Sequence, residues 1–118
     1  MKGEHDMDIL YQTLEADIVL VRLNGRLDAT TSPDVRATLQ KLLEKDQPRI
    51  IIDLQEVPFI DSSGLASLVS GLRLAREKNG IIALSGVQPQ AQTVFHLTML
   101  DRIFPIHPTY NDAVQSLI

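Results

Sequence analysis

The segment IIIDLQEVPFIDSSGL, residues 50–65, decides the fold of this chain. Its first five residues are almost continuously apolar, which is typical of a strand covered on both faces. Beyond the Asp61-Ser62-Ser63-Gly64 turn, apolar residues return at helical spacing and stop before Asn79-Gly80. These apolar residues are Leu65, Leu68, Val69, Leu72 and Ala75. The sequence therefore predicts a buried strand that leads into a helix, with two serines at the junction.

Ser62 and Ser63 lie where the predicted helix starts. The first N–H groups of a helix have no intrahelical partner, so a serine oxygen can accept from them, and the same geometry attracts phosphate. Two interpretations follow. One of the serines is a plain helix cap, for which Ser63 is the better candidate, or the junction is a working site centred on Ser62.

Composition limits the class of protein. With 118 residues, 44% of them apolar, the chain is expected to form one domain, 1–118, that buries roughly two thirds of its unfolded surface. A net charge of -4 argues against nucleic-acid binding, which depends on clustered Lys and Arg. Cysteine is absent, which excludes disulfides, thiolate metal sites and a Cys nucleophile.

The N-terminus predicts the compartment. Residues 1–8 are expected to form a polar, acidic tail, whereas a signal peptide would be basic and then apolar. No apolar run approaches the roughly 20 residues of a membrane-spanning helix. We therefore predict a cytoplasmic protein without membrane insertion.

The remaining patterns give the order β-β-α-β-α-β-α-β-α. Further strands are predicted at 9–14, 18–23, 81–84 and 103–106. Further helices are predicted to begin at Ser32-Pro33, at Gln88-Pro89 and at Thr109. The first of these has Ser32 as its cap and is expected to end at Asp46-Gln47-Pro48. Thr98 and Ile118 are expected on the buried stripes of the second and third. The fold class is α/β: a mainly parallel four- to five-stranded sheet with an antiparallel N-terminal strand, layered with four helices.

Three features together resemble a STAS domain, the fold of bacterial anti-sigma factor antagonists. They are the element Gly25-Arg26-Leu27-Asp28-Ala29, the strand 50–54 and the turn Asp61-Ser62-Ser63-Gly64-Leu65, in this order of elements. The resemblance covers nearly the whole chain. It implies a non-enzymatic switch without a cofactor, which binds an anti-sigma factor that is also an ATP-dependent serine kinase. The resemblance further implies that phosphorylation of the serine after the motif aspartate, Ser62, breaks that complex, and that a metal-dependent PP2C-type phosphatase restores the binding form.

The resemblance also implies a set of partner-binding residues: Asp28, Asp61, Ser62, Ser63, Gly64 and Leu65. Ser63 is the alternative phosphosite. The alternative interpretation of Asp28 is a solvated acid in a turn or a helix cap. The alternative for Gly64 is that it only allows two backbone segments to approach closely. A phosphate on Ser62 adds nearly two negative charges beside Asp61, which disfavours an interface built around a neutral serine.

Other functions have weaker support in the sequence. Ser62 lacks the G-x-S-x-G context of a nucleophile, and the phosphate-loop pattern of nucleotide-binding proteins is missing. His5, His96 and His107 are scattered, so no metal site is predicted. Within the same fold, two alternatives stay open: a scaffold STAS protein of a stress-signalling complex, or the small subunit of a lipid ABC transporter. Ala66 stands where many antagonists carry Gly.

Overall fold

A computed structural model of the chain describes residues 7–118. The strands are β1 (Met7–Thr13), β2 (Ile18–Gly25), β3 (Arg49–Glu56), β4 (Ile81–Ser85) and β5 (Ile106–His107). The helices are α1 (Ser32–Leu42), α2 (Ser62–Glu77), α3 (Pro89–Leu97) and α4 (Tyr110–Leu117). Two short 3-10 turns, Glu15–Asp17 and Leu100–Arg102, lie in connections.

The five strands form one sheet in the order β1-β2-β3-β4-β5. β1 pairs with β2 antiparallel, and every other neighbouring pair is parallel. The predicted fold class and the order of elements are therefore confirmed.

The two faces of the sheet are covered unequally. Residues Ile50, Ile52 and Leu54 of β3 join the larger core, to which α1, α2 and α3 contribute. Ile51 points to the opposite face, where Ala113 and Val114 of α4 cover a smaller cluster. The near-continuous apolar run in β3 thus reflects burial on both faces, as predicted.

The N-terminal boundaries differ from the prediction. Met7 and Asp8 belong to β1, where they pair with Gly25 and Asn24, so the predicted tail 1–8 is wrong in its last two residues. Residues 1–6 of that tail, with His5, lie outside the described part of the chain. β1 ends at Thr13 rather than at 14, because Leu14 turns into the 3-10 segment and packs on the smaller cluster.

The prediction for α1 is also corrected at both ends. Ser32 is the first helical residue and Thr31 precedes it, with no side-chain capping bond, because the Thr31 hydroxyl donates to the Arg26 carbonyl instead (2.7 Å). The helix ends at Leu42, four residues before Asp46-Gln47-Pro48. The buried face still includes Val35 and Leu39, as expected from their spacing.

The predicted strand 103–106 is wrong apart from its last residue. Phe104 leaves the strand path to pack edge-on against Phe95 at a ring-centroid distance of 6.0 Å, and β5 begins only at Ile106. The predictions for two residues of the buried helix faces, Thr98 and Ile118, are wrong as well. Thr98 is exposed and donates to the Val94 carbonyl at the end of α3, and Ile118 is 62% exposed beyond α4.

Candidate functional site

Two distant segments are joined by backbone hydrogen bonds beside the start of α2. The Leu27 N–H donates to the Phe59 carbonyl (3.0 Å), and the Asp61 N–H donates to the Leu27 carbonyl (3.2 Å). Leu27 and Ile60 form an isolated parallel bridge, a single pairing beyond the end of β3. The G-R-L-D element and the D-S-S-G turn, 33 positions apart in the sequence, are therefore neighbours.

Gln90, near the start of α3, holds the same connection from the other side. Its Oε1 accepts from the Ile60 N–H (2.9 Å), and its Nε2 donates to the Ile60 carbonyl (3.0 Å). A single side-chain amide thus satisfies both backbone groups of a buried residue. Gln90 carried no sequence signal, since a glutamine in the first turn of a helix is ordinary.

Asp61, rather than Ser63, caps α2. The Asp61 backbone is extended, its Oδ1 accepts from the Gly64 N–H (2.9 Å), and its carbonyl accepts from the Leu65 N–H (2.9 Å). The prediction of Ser63 as the cap is wrong, because the aspartate one position before the serines takes the role. Ser62 is then the first residue of the helix and is exposed, whereas Ser63 is half-buried. The hydroxyl of Ser62 has no hydrogen-bond partner within residues 7–118.

Gly64 lies against the backbone of the Leu27 segment. A Cβ added at Gly64 would stand 2.4 Å from the Leu27 carbonyl oxygen and 2.7 Å from its Cγ. Only a residue without a side chain permits this approach. The backbone interpretation of Gly64 therefore has a direct geometric basis.

Asp28 organises the loop between β2 and α1. Its Oδ1 accepts from the N–H groups of Thr30 (3.0 Å) and Thr31 (3.3 Å), and its carbonyl accepts from the Ser32 N–H (2.8 Å). The side chain keeps about a quarter of its surface exposed, at 24%. Asp28 thus combines a structural role in the loop with a carboxylate edge that solvent or a partner can reach.

Arg26 and Phe59 add a cationic, aromatic feature that the sequence did not indicate. The Arg26 guanidinium carbon lies 4.1 Å from the centroid of the Phe59 ring, and its Nε lies 3.8 Å from the Asp28 Oδ2. Arg26 stood inside the G-R-L-D element, but nothing in its spacing pointed to Phe59. The pair forms because the Leu27–Phe59 hydrogen bond brings the two side chains together.

The predicted partner-binding residues are brought to one end of the sheet, but two of them, Gly64 and Leu65, are buried. Asp28, Asp61, Ser62 and Ser63 are at least partly exposed there. Leu65 is only 8% exposed and packs in the larger core, so its side chain stabilises α2 rather than lining a surface. His96 and His107 lie elsewhere: His96 Nδ1 is 3.1 Å from the Asp101 carboxylate, and His107 Nε2 is 3.3 Å from the Ser116 hydroxyl.

Sequence and structure together define the class of protein. A sequence model of the STAS domain matches residues 12–113, most of the chain, and the chain belongs to this family. It is similar to the anti-sigma F factor antagonist of Paenibacillus polymyxa, with 31% identity over 101 residues that make up 85% of this chain and 86% of that protein. It is also similar to the anti-sigma-B factor antagonist of Listeria monocytogenes, with 29% identity over 92 residues, 78% of this chain and 81% of the relative.

A solved structure agrees with these sequence relatives. The crystal structure of an anti-sigma factor antagonist from Mycobacterium paratuberculosis superimposes with a TM-score of 0.84 at 26% identity, covering 93% of this chain and 92% of that one. Within residues 7–118, no group of His, Asp and Glu side chains is arranged to hold a metal ion. No helix in this part of the chain has the length and apolar character needed to cross a bilayer.

Proposed function

We propose that this chain is an anti-sigma factor antagonist that is switched by phosphorylation of Ser62. The unphosphorylated form binds an anti-sigma factor that is also a serine kinase, and so regulates transcription. That kinase transfers the γ-phosphoryl group of ATP to the Ser62 Oγ, the hydroxyl proton is lost, and ADP leaves. The phosphorylated form dissociates, and a PP2C-type phosphatase returns it to the binding form. In this scheme the chain is a phosphoryl acceptor and catalyses no step.

The proposal rests on the Ser62 hydroxyl, which is exposed at the first position of α2 and has no hydrogen-bond partner among residues 7–118. A kinase needs access to that oxygen, and the half-buried Ser63 offers less. The names of the relatives supply the partner class, an anti-sigma factor. Asp28, Asp61 and Arg26 complete a charged surface around the serine that a partner can recognise.

Electrostatics explain how one phosphate can release the partner without unfolding the chain. Phosphorylation adds about two negative charges next to Asp61. The N-terminus of α2 tolerates these charges, because the positive end of the helix dipole lies there. A partner surface that fits a neutral serine does not tolerate them, since like-charge repulsion and burial of a dianion each cost several kcal/mol. The switch therefore acts on the interface more than on the fold.

The charge mechanism is tested with Ser62→Asp and its neutral isostere Ser62→Asn. The partner is first isolated by co-purification with this chain from the native host and identified by mass spectrometry. Calorimetry should then show that Ser62→Asp weakens binding by about 2 kcal/mol or more, roughly 30-fold, while Ser62→Asn loses much less. Equal losses in both variants would refute the charge mechanism, provided that circular dichroism shows both to be folded.

The modified serine is identified by intact-mass analysis after incubation with the isolated kinase and ATP. We expect one added phosphate on the parent chain and on Ser63→Ala, and none on Ser62→Ala. The reverse result would move the site to Ser63.

Co-purification also decides between the alternatives inside the family, because a stress-signalling scaffold or a lipid-transporter subunit would bring down assembly components instead of a kinase.

A further inference from the structure

The two edges of the sheet are built differently. β5 has only two residues and lies between Pro105 and Pro108, neither of which has an N–H to offer. Short strands and prolines are means by which proteins keep a sheet edge from pairing with another chain. β1 has seven residues, no Pro and no Lys, and it pairs with β2 without a register shift from end to end. This edge therefore lacks the protection that β5 has.

The outer side of β1 is also apolar at its centre. Leu10 is 68% exposed and Tyr11 is 51% exposed. Because successive residues of a strand point to opposite faces, these two side chains present apolar surface on both faces of the same edge. Within residues 7–118, no strand pairs with the outer side of β1.

We propose that β1 pairs antiparallel with β1 of a second copy of this chain, in the register centred on Leu10. The two five-stranded sheets then form one sheet of ten strands. Leu10 lies opposite the partner's Leu10 on the two-fold axis, and Ile9 lies opposite the partner's Tyr11. Pairs of aromatic and β-branched residues are among the stabilising cross-strand contacts, and the two-fold axis makes this one twice.

The sequence of β1 favours a second copy as the occupant, because the strand is complementary to itself over its full length in the register centred on Leu10. All seven residues overlap when the axis passes through Leu10, and Asp8 then faces the partner's Gln12. An axis through Asp8 would place two carboxylates opposite each other, which is destabilising. An axis through Gln12 would leave only three residues paired.

The expected dimer is weak. A strand of seven residues is about 24 Å long, and a contact of one strand width falls below the roughly 1,200 Å² of a standard stable interface. We therefore expect a dissociation constant of about 10 to 300 µM. Ser62 follows β3, which is separated from β1 by β2, so the dimer leaves the candidate phosphosite accessible. The proposal does not depend on the proposed function.

Sedimentation measurements test the dimer directly. The parent chain should shift from 13.1 kDa toward twice that mass as its concentration rises from about 5 to 500 µM. Leu10→Lys places two positive charges on the axis and should raise the dissociation constant at least tenfold. The matched control is Leu97→Lys, because Leu97 is a comparably exposed leucine, at 76%, on α3. A parent chain that stays monomeric at 500 µM, or a dimer that Leu10→Lys leaves intact, would overturn the proposal.

The register is tested by crosslinking, which the absence of native cysteine makes unambiguous. With a short bis-maleimide reagent, Leu10→Cys should give a covalent dimer several times faster than Leu97→Cys. Gln12→Cys should react slowly, since it faces the partner's Asp8 rather than its own counterpart. Crosslinking that is equally fast at all three positions would reflect random collision and would refute the paired strands. Faster crosslinking at Gln12→Cys than at Leu10→Cys would refute the register.

Discussion

Replacing Gly64 by alanine is expected to destabilise the fold, although alanine is the better helix former. Gly64 lies inside the first turn of α2, where the substitution by itself would gain about 1 kcal/mol. The new Cβ would stand 2.4 Å from the Leu27 carbonyl oxygen, about 1 Å closer than the 3.4 Å at which ordinary van der Waals contact begins. The neighbour is backbone, so it cannot rotate away.

The cost follows from what holds Leu27 in place. Its N–H and its carbonyl are both engaged, with Phe59 and Asp61, so moving the segment weakens those hydrogen bonds as well. Overpacking costs about 1 to 3 kcal/mol and a weakened hydrogen bond about 1 kcal/mol. After the gain in helix propensity is subtracted, we expect Gly64→Ala to lower the free energy of unfolding by about 2 kcal/mol.

The assay is urea denaturation followed by far-UV circular dichroism. With a slope of about 1.5 kcal/mol per molar urea, a loss of that size lowers the unfolding midpoint by about 1.3 M. Gly71→Ala is the matched control in the same helix. Its Cβ would meet the side-chain ends Leu39 Cδ1 at 2.9 Å and Ile82 Cδ1 at 3.2 Å, which can move. The control should stay within about 1 kcal/mol of the parent. If Gly64→Ala proves as stable as Gly71→Ala, the close approach is not the reason for this glycine.

Substitutions at two further residues, Asp61 and Asp28, separate structural from functional roles at the site. Asp61→Ala removes the cap of α2 and should lower the free energy of unfolding by about 1 kcal/mol. Asp61→Asn keeps an oxygen acceptor and should lose less stability. Equal losses of the two variants in urea denaturation would contradict the capping role. Asp28→Asn keeps an acceptor for the Thr30 and Thr31 N–H groups, so the free energy of unfolding should change by less than about 1 kcal/mol. The same substitution removes the carboxylate near Arg26, so affinity for the proposed kinase should fall. The melting temperature and the calorimetric affinity for the kinase are measured on the same variant. If Asp28→Asn binds with full affinity, the role of Asp28 is purely structural.

Much of the fold could be predicted from local patterns. The apolar run 50–54 and the helical spacing from Leu65 to Ala75 are strong because burial imposes them directly. The prediction of the last strand was wrong because the apolar run Ile103 to Ile106 contains Phe104, which packs on Phe95 instead. Such a contact with the preceding helix leaves no periodic signal in the sequence.

Residues of the candidate site could be selected from the sequence where they belong to a motif. Residues whose roles depend on tertiary contacts could not. Ser62 and Asp28 stand out within D-S-S-G and G-R-L-D. The cap was misassigned because serine and aspartate are both good caps, and only the extended backbone of Asp61 decides between them. Arg26 on Phe59 and Gln90 on Ile60 depend on side chains that meet only after the chain has folded.

The amide of Gln90 gives Ile60 the hydrogen-bonding environment of a residue in a central strand. On one side Ile60 forms a bridge with Leu27, and on the other the glutamine takes the place of a neighbouring strand. Because hydrogen bonds hold the chain on both sides of Ile60, we expect this backbone to keep its position when the charge of Ser62, two positions later, changes. If Ser62 is phosphorylated as proposed, the two forms of the chain would have nearly the same backbone, and a partner would distinguish them by charge rather than by shape.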